Sequence, residues 1–266
     1  GMTGDLTVSI SGGKDSTATY LHLLETGFLE NWEARGGKVV RVFADTGWEL
    51  PETYAYIERL ERTIGKIHRV AVWVPGPDES KPEGFDFLAP MWKSTDKRMA
   101  ADRHAMAKSF ELRLGRYSPM VRLICHWAWF PMTKNRWCTD NTKKLPLVAY
   151  LQQLDSPVNV VGVRAEESRA RAGYKTLEWS DDWDCWMWRP IKHFTLADVV
   201  SIHKRYGISP NALYLQGTGA ARVGCAPCVN SNKANLSWLA GHHMDRLDLL
   251  GDLEKALDAV TGKTHT

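Results

Sequence analysis

A chain of 266 residues, 44% hydrophobic and 24% charged, has the make-up of a globular protein and is long enough to bury a substantial core. No apolar run approaches the roughly 18 residues a membrane span needs, and a net charge of +3 is too small to imply nucleic acid by itself. Five cysteines, an odd number with no secretory opening, point to metal or catalytic thiols in a reducing, cytoplasmic compartment rather than to a disulfide frame.

In chain order, Leu6 to Ile10 reads as a strand, and Ser16 to Glu25 continues as a helix with Ala18, Leu21 and Leu24 on one face. Lys38 to Phe43 is the next strand, and a helix starts near Pro51, a residue suited to a first turn. His68 to Val74 is the third strand. The stretch from Pro75 to Pro90 holds four prolines and reads as a loop. Val158 to Val163 is a buried strand, and Thr195 to Tyr206 a helix capped by Thr195 with Asp198 in the acidic position of a capping box. Strands alternating with helices at this spacing predict an α/β, doubly wound parallel sheet with helices on both faces. A helical C-terminal extension (231–266) follows the main domain (2–230). Leu236, Leu239, Leu247, Leu250 and Leu253 would form the apolar stripe of that extension, as core or as a homodimer contact.

The chemistry clusters directly after the apolar strands, where parallel sheets place their ligands. The first strand runs into Ser11-Gly12-Gly13-Lys14-Asp15-Ser16. Glycines let the backbone turn tightly and aim N–H groups into one concavity, and the following helix adds its positive end. Ser11, Ser16 and Thr17 add hydroxyls, and Lys14 adds a point charge. The loop is not a Walker A motif, because Asp15 rather than Ser or Thr follows the lysine. A ligand-free glycine turn is the plain alternative. The second strand ends in Asp45-Thr46-Gly47, good turn chemistry ahead of a helix start. After the fourth strand, Arg164, Arg169 and Arg171 crowd together, and guanidinium forks match phosphate and sulfate oxygens in pairs. A salt-bridged helix start with Glu166 and Glu167 would explain the same string.

Together these strings resemble a known family. SGGKDS is similar to the PP-loop of the adenine nucleotide α-hydrolase superfamily, and ADTGWELPETY (Ala44 to Tyr54) to the nucleotide-binding segment of the phosphoadenosine phosphosulfate (PAPS) reductase family. RWCTDNTKKLP (Arg136 to Pro146), GVRAEESRAR (Gly162 to Arg171), WRPI and the later YGISPNALYLQG and RVGCAPC extend the resemblance from Leu6 to Cys228. It implies binding of ATP or an adenylyl sulfate, with Mg²⁺, and chemistry at the α-phosphate. Lys14, Asp15, Arg164 and Arg171 would be catalytic, and Ser11 to Ser16 with Asp45, Thr46 and Gly47 would hold the nucleotide. The leading expectation is ATP-dependent adenylation with pyrophosphate release, serving sulfur transfer. Reduction of an adenylyl sulfate, and a non-catalytic nucleotide-binding module of a larger complex, are the alternatives.

Cys225 and Cys228 form a Cys-x-x-Cys pair that suits one metal or cluster, a redox dithiol or an inert pair. The family resemblance adds Cys138, although the tandem cysteine of cluster-bearing relatives is broken here by Thr139. Cys185 would be a fourth ligand from outside the pattern. A 4Fe–4S cluster, a zinc site and no metal are the three readings. Reductases of the family also use a C-terminal Glu-Cys-Gly nucleophile, and no cysteine follows Cys228. Between Lys93 and Arg122, eight Lys or Arg stand against three acids. A solvated helix face is the plain reading of this run. A surface toward a nucleic-acid acceptor is the other, with Trp127, Trp129 and Phe130 nearby to stack bases.

Overall fold

The structure, a computed structural model, describes residues 4–91, 98–155, 157–217 and 223–262. Its helices are α1 (Lys14–Glu25), α2 (Phe28–Ala34), α3 (Pro51–Ile64), α4 (Ala101–Leu114), α5 (Pro119–Trp127), α6 (Trp137–Thr139), α7 (Leu145–Leu151), α8 (Arg169–Ala172), α9 (Leu196–Arg205), α10 (Lys233–His242) and α11 (Met244–Thr261). The strands are β1 (Asp5–Ser9), β2 (Lys38–Ala44), β3 (Ile67–Trp73), β4 (Phe87–Pro90), β5 (Val158–Val160), β6 (Leu177–Ser180) and β7 (Cys185–Trp188). They form one sheet in the order β4-β3-β2-β1-β5-β7-β6, parallel except for β6, which runs antiparallel to β7.

The order reverses at β1. Successive strands β2, β3 and β4 build outward on one side, and β5, β7 and β6 on the other. The crevice between the ends of β1 and β5 is therefore a topological switch point, where open α/β sheets bind ligands. Leu6 and Val8 of β1 are 0% exposed and share a core with Ala18 and Leu21 of α1, Ile57 and Leu60 of α3, and Val199 and Ile202 of α9. The sheet's centre is thus fixed on the face that carries α1.

Two sequence expectations change. The proline-bearing loop ends in a strand, β4, at the sheet's edge beside β3. Pro90 closes that strand, where a missing backbone N–H interrupts no ladder bond to a further strand. The strand expected over Val158 to Val163 stops at Val160, because the chain leaves the sheet to bring Gly162 against α1. The hairpin of β6 and β7, with its tryptophan-rich sequence, gave no alternation clear enough to read in advance.

Of the expected C-terminal leucines, Leu239 and Leu253 are buried, and Leu249 and Leu257 join the core from outside the expected set. Leu249, Leu253 and Leu257 of α11 are buried in a core with Phe110 of α4 and Leu123 of α5, Leu247 and Leu250 are half-buried, and Leu236 is 41% exposed. Helix α11 also reaches the segment that follows β2, since Arg246 lies over the Trp48 ring and donates to the Glu49 carbonyl.

The basic run is engaged in ion pairs and carbonyl contacts, with Arg98, Lys108 and Arg113 still exposed as on a solvated helix face. Lys93, Asp96 and Lys97 lie outside the described residues. Arg122, 0% exposed, is bound by Glu79 and Glu111, Lys108 lies beside the same two carboxylates, and Arg113 pairs with Asp252. Arg98 and Arg103 donate to backbone carbonyls, and Arg116 lies 3.4 Å from the Tyr54 ring centroid. Trp127 and Trp129 pack edge-on against the buried Trp137. These groups hold helices together, which does not support the nucleic-acid reading of the run.

Candidate functional site

The glycine loop crosses the carboxyl end of β1 and enters α1. Gly12 has φ +75°, a conformation in which a side chain is strained, and a Cβ there would meet the Thr53 methyl group at 2.8 Å. Gly13 is the N-cap of α1 and has no side chain to cap the first turn, where the Lys14 N–H is met by the Tyr214 hydroxyl at 3.4 Å. Ser16 Oγ ties the loop internally. It accepts from the Ser11 backbone N–H at 3.1 Å and donates to the Gly13 carbonyl at 3.0 Å.

Across the switch point, the segment after β5 closes onto this loop. A Cβ on Gly162 would lie 2.7 Å from the Asp15 carbonyl, so glycine permits the two backbones to touch. Arg164, 4% exposed, donates from Nε to Asp15 Oδ1 at 2.5 Å, and Lys14 Nζ lies 3.0 Å from Asp15 Oδ2. One carboxylate therefore aligns two cations. Arg164 also pairs with Glu166, and Arg171 pairs with Glu167. Arg169 is exposed. Lys14, Asp15 and Arg164 come together as expected, whereas Arg171 is taken by its own turn.

The Asp45-Thr46-Gly47 turn is built from inside. Asp45 Oδ1 accepts from the Gly47 N–H and the Tyr54 hydroxyl, both at 2.8 Å, and Thr46 Oγ1 donates to Glu49 at 2.8 Å. Asp45 is 5% exposed, so its side chain shapes the turn instead of reaching outward. Burial and the neighbouring Glu49 charge push its carboxyl up to about 6. Gly47 has φ +64°, and a Cβ there would stand 2.4 Å from the Ser118 Cα. Gly47→Ala is expected to cost about 1–3 kcal/mol, read as a lowered denaturant midpoint.

Three cysteines line one cavity of about 300 Å³ beside this turn: Cys138 from α6, and Cys225 and Cys228 from the loop before α10. The Cys225 loop is zipped to the turn, since Glu49 and Cys225 form a β-bridge and the Ala226 N–H donates to the Trp48 carbonyl. Thr46 Oγ1 lies 3.6 Å from Cys225 Sγ. Lys143 borders the same cavity on a π-helical turn over Asp140–Lys144. Pro146 has no N–H to continue α-helical bonding there. The adjacent Cys225 raises the Lys143 pKa, and burial pushes the Cys225 thiol up to about 11 against the Lys143 charge.

Cys185 is not part of this group. It is 0% exposed on β7, packed with Leu151 and Met187 in a separate cluster. Among the described residues, no group of three or more His, Cys, Asp or Glu is arranged to hold a metal ion. The three thiols share a cavity but, as placed, do not form a ligand set for a cluster or for zinc. Cys228 is exposed, while Cys125 and Cys185 are buried with thiols pushed up to about 12 and about 11. A maleimide chase read by mass spectrometry should label Cys228 first, and Cys125 and Cys185 only on unfolding.

Three residues outside the predicted set fasten the glycine loop. His203 of α9 meets the Lys14 carbonyl at 2.9 Å through Nε2 and the Ile208 carbonyl through Nδ1. Asn211 donates to the Gly12 carbonyl at 3.2 Å, and Tyr214 accepts from the Lys14 N–H at 3.4 Å. No periodicity or spacing marks them. Asn211 and Tyr214 carry one sequence signal, membership of the YGISPNALY string, and His203, three residues ahead of it, carries none.

A family description, the phosphoadenosine phosphosulfate reductase domain, matches residues 5–231. The chain belongs to this family. The chain is also 32% identical over 276 residues to an uncharacterized 37.8 kDa protein in the gpa 5′ region of Escherichia phage 186, spanning 97% of this chain and 77% of that one. Among solved structures, it is similar to a PAPS reductase from Candida auris in a phosphate complex, at TM-score 0.48 and 14% identity over 83% of this chain and 80% of the other. It is also similar to an FMN adenylyltransferase from Candida glabrata with FAD and inorganic pyrophosphate, at TM-score 0.41 and 16% identity over 82% and 55% of the two chains. No described helix of this PAPS reductase family member is long and apolar enough to cross a membrane.

Proposed function

We propose that this PAPS reductase family member binds an adenine nucleotide across the ends of β1, β2 and β5 and transfers its adenylyl group, releasing pyrophosphate. The observation that carries the reading is the shared use of Asp15, which holds Lys14 from the loop and Arg164 from across the switch point on one carboxylate. Two cations held in place before ligand arrives are suited to a leaving group that gains negative charge. In the reaction, a nucleophile attacks the α-phosphorus and the bond to the bridging β-phosphate oxygen breaks. The departing pyrophosphate stays on the loop Ser11–Ser16, its charge met by Lys14 and the first-turn donors of α1. Mg²⁺ would arrive with the nucleotide, held largely by its phosphates. Gly47 and the turn that Asp45 shapes would meet the nucleoside. Arg164 orients Asp15, and exchanging Glu166 for an incoming anion would free its remaining donors for acceptor or sulfur donor.

Reduction of an adenylyl sulfate is the second reading, favoured by three thiols in one cavity against the Asp45-Thr46-Gly47 turn. The two reactions separate cleanly in products. With ATP and Mg²⁺, and water standing in for the acceptor, adenylyl transfer gives AMP and pyrophosphate. With an adenylyl sulfate and a dithiol reductant, reduction gives AMP and sulfite. Pyrophosphate without sulfite supports the proposal. Sulfite without any ATP requirement would replace it with the second reading, and tight nucleotide binding with neither product would reduce the protein to a binding module.

A further inference from the structure

Tyr214 stands over the glycine loop, its hydroxyl against the Lys14 backbone. It ends a 3₁₀ turn over Ala212–Tyr214, fixed by the Asn211 side chain, which accepts from the Leu213 N–H and donates to the Gly12 carbonyl. The phenol oxygen accepts two backbone N–H groups, from Lys14 at 3.4 Å and Val223 at 3.2 Å. The Lys14 ammonium lies 4.8 Å from the ring centroid. A hydroxyl that accepts twice still has one proton to give. Among the described residues, nothing accepts that proton. Tyr214, Lys14 and Arg164 all line one cavity of about 890 Å³ beside the loop.

We propose that Tyr214 is a further anion-binding residue of this site, donating its hydroxyl proton to an oxygen of the phosphate chain that the glycine loop holds. The inference rests on reading that loop as a phosphate cradle. Three donors of different kinds then converge on one cavity: an ammonium, a guanidinium and a phenol. The two accepted N–H bonds polarise the phenol and make it a better donor. Burial pushes its own ionisation up to about 12, so the proton is present throughout the neutral range. Because Tyr214 is delivered by the segment after α9, the phosphate end of the ligand also ties that segment to α1.

The test is calorimetric titration of the full chain with inorganic pyrophosphate, comparing wild type with Tyr214→Phe and following adenosine binding in parallel. The phenylalanine keeps the ring under Lys14 and removes only the oxygen. A hydrogen bond to a charged acceptor predicts pyrophosphate binding weaker by about tenfold or more in the variant, with adenosine binding unchanged. Thermal unfolding of both proteins, with and without saturating pyrophosphate, provides the second readout. The ligand-induced rise in Tm should shrink in the variant even if its ligand-free Tm is lower. Equal or tighter pyrophosphate binding by Tyr214→Phe would overturn the inference, since the phenol would then only be covering the Lys14 amide. If wild type binds no pyrophosphate, the cradle reading itself fails and this inference falls with it.

Discussion

Lys14→Ala should lower pyrophosphate release from ATP by about 10²–10³-fold, the loss typical when one preorganised donor to a developing negative charge is removed. The expectation follows from position. Lys14 heads α1 at the end of the glycine loop, and its ammonium is 3.0 Å from Asp15. Asp15→Ala should fall in the same range by a different route, because both Lys14 and Arg164 lose the carboxylate that aligns them. The two variants differ in a second reading. Lys14→Ala removes a charge and should lose affinity for pyrophosphate, whereas Asp15→Ala removes a nearby negative charge and should bind it at least as well while turning over poorly. Steady-state rates with pyrophosphate titrations separate these outcomes, and normal turnover by Lys14→Ala would remove the loop from the chemistry.

The largest stability effect is expected at Arg122. Its guanidinium is fully buried and bound by Glu111 through Nε at 2.8 Å, by Glu79 at 2.7 Å and by the Val74 carbonyl at 2.9 Å. Arg122→Met keeps volume but leaves Glu111, 5% exposed, without its main counter-charge. Breaking a buried pair in this way costs about 3–5 kcal/mol, a large part of the roughly 5–15 kcal/mol that stabilises a domain. Equilibrium denaturation reads it directly. The pH dependence has a definite sign. Desolvation works against ionisation of Glu79, but the Arg122 hydrogen bonds outweigh it and hold the carboxyl near 2 instead of 4.5. A carboxyl depressed in the fold contributes stability that is complete above about 4.5 and is lost as pH falls toward 2. Arg122→Met should flatten that acid limb.

The parts of the fold that were legible in the sequence are those where local chemistry and tertiary need coincide. Gly12 and Gly13 after an apolar strand, Pro51 at a first turn, and Thr195 with Asp198 as a capping box each act within a few residues of themselves, and the structure places all three where expected. The edge strand β4 was hidden because its stabilisation comes from β3, not from its own four residues. The site was half legible. Lys14, Asp15 and Arg164 carry their chemistry in their residue types, but the Asp45 carboxylate, expected to hold the nucleotide, is buried as the frame of its own turn. His203, Asn211 and Tyr214 act on the loop from about 190 to 200 residues away, and no one-dimensional pattern spans that distance. The cysteines show the same limit. Cys-x-x-Cys spacing brings Cys225 and Cys228 together, and the fold adds Cys138 to their cavity, but Cys185 lies on a strand that faces a different core.

The central claim is that the loop Ser11–Ser16 holds the phosphate chain of an adenine nucleotide. It is tested most directly by a crystal structure of the protein with a non-hydrolysable ATP analogue and Mg²⁺. The account predicts β- and γ-phosphates within hydrogen-bonding distance of the loop's backbone N–H groups, with Lys14 turned toward them and the nucleoside against the Gly47 turn. A nucleotide bound elsewhere, with Lys14 still paired to Asp15 and no phosphate in the loop, would contradict it.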